Sequence, residues 1–157
     1  MTLLSNCIVA IVNLRDYHTF MTINYLAVAL AAIAQFVFGA IWYMPVFGNL
    51  WGKIHGFDKL SKIDQAEARK GMTPLLVVQF IGTVVTTLVL AKLIVVLPDY
   101  SAFMLAIMVW IGFFVPTQVA AVMFGATNTK WMVTKSAIMA GGSLGCLLIA
   151  AVILNAM

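Results

Sequence analysis

Charge is what this sequence has least of. Only 9% of its 157 residues are Asp, Glu, Lys or Arg, where a soluble domain carries about 25%. Hydrophobic residues make up 64%, and mean hydropathy is +1.07. A chain so composed cannot present a watery surface on every side, which excludes a soluble globular domain. Histidine and cysteine are almost as scarce. His18 and His55 have no Cys or carboxylate partners at a metal-ligand spacing, so neither a metal nor a cofactor is expected. Cys7 lies near the start and Cys146 deep in the last apolar run, positions that do not suit a disulfide. There is no phosphate-binding glycine loop and no nucleophile beside a plausible base, and the chain reads as non-enzymatic. Its net charge of +4 comes from Lys and Arg in the gaps between apolar runs, which points to membrane topology and away from nucleic acid.

What is present is apolar length. Four runs are long enough to cross a bilayer, at residues 25–44, 74–97, 101–125 and 133–155. The expected fold is all-α: one four-transmembrane-helix bundle, residues 21–157, with a short amphipathic interfacial helix between helices 1 and 2. Pro45 is expected to end the first span. Thr73 and Pro74 read as the cap and first residue of the second, Pro98 opens a hairpin turn, and Pro116 is expected to kink the third. Residues 60–71 read as a separate surface helix, with Ser61 and Asp64 in a capping-box pattern and Gly71 as the stop.

Lys53, Lys59, Lys62, Arg69, Lys70, Lys130 and Lys135 fall on one side of such a bundle, whereas Arg15 and the outward-leaning Lys92 fall on the other. The positive-inside rule then puts the basic loops in the cytoplasm and both termini outside a cytoplasmic (inner) membrane. No cleavable signal is evident in residues 1–20, which read as an extension, and Met21 is a second plausible start.

The spans also lack acids, histidine and arginine, which argues against ion-coupled transport. They carry amides and hydroxyls instead. Gln35, Gln79 and Gln118 fall about 7 to 14 Å from the cytoplasmic ends of three different spans, with Thr83 and Thr117 close by in sequence. Two readings stand: an interhelical hydrogen-bond cluster that fixes the bundle, or a polar pocket for a small neutral solute.

Small residues repeat every four positions at Ala137, Gly141 and Gly145 in the last span, and at Ala27, Ala31, Gln35 and Gly39 in the first. Such faces let helices approach closely, either within one chain or between subunits.

After the first span, Phe47, Leu50, Trp51 and Ile54 take the i, i+3, i+4, i+7 spacing of one apolar helix stripe. With Trp42 and Tyr43 they suit an anchor at headgroup level; the alternative is that Phe47 and Trp51 fold back over the mouth of the bundle. In Gly39, Trp42, Tyr43, Pro45, Phe47, Gly48, Trp51 and Gly56, and in WIGFFVP at residues 110–116, the chain resembles the small four-helix bacterial membrane proteins grouped as domain of unknown function 1761. The resemblance covers nearly everything from Asn24 onward. It implies a four-helix membrane fold and no assigned activity. The expected partners are the lipid bilayer and either further copies of the chain or a larger membrane complex, with a small-solute channel or carrier as the rival function.

Overall fold

A computed structural model describes residues 22–157. The proposed extension at residues 1–20, the alternative start at Met21, Arg15, Cys7 and His18 lie outside them. Every regular element among the described residues is helical, and four are long and apolar enough to cross a membrane. The chain is a multi-pass membrane protein.

The first span begins at Asn24, whose side chain accepts a hydrogen bond from the Ala27 amide and caps α1, Tyr25–Ile41. It continues past Ile41 through a π-turn, Trp42–Val46, so Pro45 sits inside the span and does not end it. Proline has no N–H to give to the helix ladder, and the wider turn absorbs the missing bond: the Phe47 amide reaches back five residues to the Trp42 carbonyl at 3.0 Å. A short helix follows, α2, Gly48–Ile54. The chain then turns through Gly56, whose φ of 68° is a left-handed value that glycine adopts without strain.

The second span corrects the expectation of two separate helices. Ser61 does cap a helix, accepting from the Asp64 amide, but that helix, α3, runs unbroken from Lys62 to Val96. Gly71 is not a stop, and Pro74 is an interior residue. One absent bond to the Lys70 carbonyl is a small loss in a 35-residue helix, and at its emerging end that carbonyl is within reach of water and headgroups. At about 1.5 Å per residue α3 is roughly 52 Å long, well beyond the ~30 Å hydrocarbon core, so its charged first third projects from the bundle.

The third span is α4, Ala102–Val109, a second π-turn, Trp110–Phe114, and α5, Val115–Phe124. The break lies just before Pro116, where the Val115 amide reaches the Trp110 carbonyl in the same five-residue pattern. The fourth is α6, Met132–Ala156. This last helix is the hub of the bundle. It lies along α1 and against α4 and α5, while α3 rests chiefly on α1. Leu90, Leu105 and Leu147 interlock with Ala31, Ala102, Ala106, Ala150 and Ala151 in the buried core. In lipid, where apolar burial alone does not drive helices together, small residues of this kind gain stability through close van der Waals contact. At that end the Asn24 side chain also donates to the Met157 carbonyl at 3.3 Å.

Candidate functional site: a glycine and aromatic junction

The glycines of α6 receive rings. A methyl placed on Gly145 would lie 2.5 Å from Phe38, and one on Gly141 or Gly142 would lie 3.0 Å from Trp42. Tyr43 closes over the same place, its hydroxyl 3.2 Å from the position of a Gly142 methyl. The small-residue face is therefore used within the chain, with the aromatic edge of the first span set into the groove that missing side chains leave. Two members of the expected packing face are not part of it. Gly39 has nothing within 4 Å of where its methyl would be, and Ala137 is exposed.

The indole of Trp42 donates to the Ile138 carbonyl at 3.0 Å, and Trp110, from the third span, donates to the Ala140 carbonyl at 2.8 Å. Both tryptophans open a π-turn. The rings continue into α2: Trp42 and Phe47 are 4.7 Å apart between centroids, Tyr43 and Trp51 4.9 Å, Trp51 and His55 4.5 Å. Trp42 and Tyr43 thus pack on α6, with Phe47 and Trp51 packed on them, and all four are half-buried. Phe47 and Trp51 turn back toward the end of the first span, and Trp51 toward the start of α6. Mutual ring contact and the indole bond turn these side chains inward.

The three glutamines do not meet one another. Gln35 is buried and donates to Thr87 Oγ1 at 2.7 Å and to the Ala31 carbonyl at 3.1 Å; Thr87 in turn donates to the Thr83 carbonyl. Thr83 bonds the Gln79 carbonyl on its own helix. Gln118 instead accepts from Ser143 at 3.3 Å, joining the third and fourth spans. Gln79 is exposed, and so is Thr117, which bonds back to the Phe113 and Phe114 carbonyls. The polar side chains form two separate interhelical pairs, because α3 touches α5 too little to bring its polar face to Gln118.

The short aromatic segment and the glycine-faced last helix onto which it folds both lie within a known family pattern. The chain belongs to the family described as protein of unknown function (DUF1761), matched over residues 26–155. No curated protein and no solved structure matches it.

The DUF1761 region holds all four spans, the short helix and both π-turns. Among its described residues no three His, Cys, Asp or Glu side chains converge as metal ligands would. Cys146 is a free thiol whose Sγ donates to the Gln35 carbonyl at 3.6 Å, so it belongs to the packing of α1 on α6. Phe38 and Trp110 were missed by reasoning from sequence. The shared signal, a tryptophan a few residues before a proline in both the first and third spans, was there to be read.

Proposed function

We propose that this protein is a non-enzymatic integral membrane subunit that self-associates or joins a larger complex through the outer face of its second span. The observation that carries this is a stripe on α3. Met72, Leu75, Gln79, Gly82 and Val89 are exposed, with Thr86 half-buried among them, at alternating spacings of three and four. That is the seam along which one helix packs on another. Gly82 has open space around it, which lets a facing backbone come close. Gln79, about 7 Å along the helix from Pro74, bonds no side chain among the described residues through its amide, and such a group in hydrocarbon gains from a partner.

The rival reading, a channel or carrier built on the glutamine layer, has less to support it, since Gln35 and Gln118 are each engaged across a helix pair. The placement in a cytoplasmic membrane with both termini outside is supported by the basic residues of the described loops, all at the end opposite Asn24 and Met157.

Purification in mild detergent, followed by mass spectrometry of the intact assembly and its co-purifying chains, tests the proposal. A homo-oligomer or a constant partner that is lost on Gly82→Ile supports it. A monomer with no partner, or one that carries a solute across liposome membranes, overturns it.

A further inference from the structure

At the basic end of the bundle, between the close of α2 and the loop joining the third and fourth spans, lies an open cavity of about 390 Å³. It is lined by Ile54, His55, Gly125, Ala126, Thr127 and Lys135. No acidic residue is among them. Lys135 is half-buried, and its ammonium donates to Thr127 Oγ1 at 3.2 Å and stands 6.0 Å from the Trp51 ring. No carboxylate pairs with it among the described residues. An ammonium has three N–H donors, and one is used here.

Thr127 is arranged in a compatible way. Because Thr127 accepts from Lys135, its own hydroxyl proton is left to donate elsewhere. His55 Nδ1 is 3.0 Å from the Trp51 carbonyl, a group that only accepts, so the proton of the neutral ring is on Nδ1; Nε2 is then an acceptor, and His55 lines the cavity without holding an anion. The Trp51 ring stacks on His55 and lies beside Lys135, holding both side chains at the cavity. Lys135 is in the first turn of α6, where the helix dipole also favours a negative guest.

We propose that this cavity is a binding site for a phosphate group, held by the Lys135 ammonium and the Thr127 hydroxyl. Phosphates are the anions abundant at this depth of a membrane. The group comes either from an anionic phospholipid headgroup or from a soluble phosphate.

The full chain in a mild non-ionic detergent, titrated with phosphatidylglycerol and followed by native mass spectrometry, tests the assignment. Lys135→Gln is expected to weaken binding by about tenfold, the loss of one charge-assisted contact. Thr127→Val should weaken it in the same direction. Lys130→Gln, which removes the same charge from the same end of the bundle but does not line the cavity, should change it by less than about twofold. Millimolar inorganic phosphate separates the sources: displacement of the lipid assigns the site to phosphate in general, and no displacement assigns it to the lipid headgroup. Equal losses for Lys130→Gln and Lys135→Gln would reduce the effect to surface charge and overturn the proposal, as would binding unchanged in both. Should Lys135→Gln fail to fold, Thr127→Val against Lys130→Gln decides alone.

Discussion

Trp42 and Trp110 stand on different spans, yet their indole nitrogens bond carbonyls two residues apart on one helix, Ile138 at 3.0 Å and Ala140 at 2.8 Å. Each opens a π-turn whose first carbonyl is taken by the amide five residues on. The first and third spans are thus fastened to α6 at nearly the same level by the same device.

Replacing either tryptophan with phenylalanine keeps a ring and removes one bond, at a cost of about 1 kcal/mol each. Since both bonds hold the same turn of α6, the double variant is expected to depart from additivity. Unfolding of the four proteins of this cycle by SDS in mixed micelles measures the coupling; strict additivity would show the two fasteners to be independent.

Gly145→Ala sets a methyl where the Phe38 ring now lies. Overpacking of this kind typically costs about 1–3 kcal/mol. The matching change Phe38→Leu in the same chain should recover part of the loss, and Gly39→Ala, which meets open space, should be close to neutral. Thermal stability in detergent ranks the variants.

Gln35→Leu and Gln118→Leu each break one interhelical pair. Each should lower bundle stability by about 0.6 kcal/mol, the mean for such bonds in membrane proteins. A liposome flux assay on the same variants is expected to show no change, and a solute response that vanished with either glutamine would favour the channel reading.

Ser61→Ala removes the cap that starts α3. The expected loss is about 1 kcal/mol, confined to the projecting end of the helix. Hydrogen exchange should quicken over residues 62–66 and remain unchanged beyond Pro74.

The apolar runs, the Ser61 cap, the hairpin at Pro98 and the family pattern were legible in the sequence, because each depends on neighbours along the chain or on length against the bilayer. The partners were not. Gly141, Gly142 and Gly145 announce a close approach but not whether a backbone or a ring fills it, and that was decided by Phe38, Trp42 and Tyr43 of the first span. The glutamines share a depth, yet a common pocket also requires common faces. A π-turn admits one extra residue and rotates the helix beyond it by about 100° relative to a regular one, so positions after Trp110 leave the face that a 3.6-residue count assigns them. Gln118 comes after that turn and meets Ser143, while Gln35 comes before the turn at Trp42 and meets Thr87. The sequence by itself determined that four helices cross and where they begin to be apolar; the tertiary structure decided which side of each one meets another, since that depends on how rings, glycines and widened turns fit together in space.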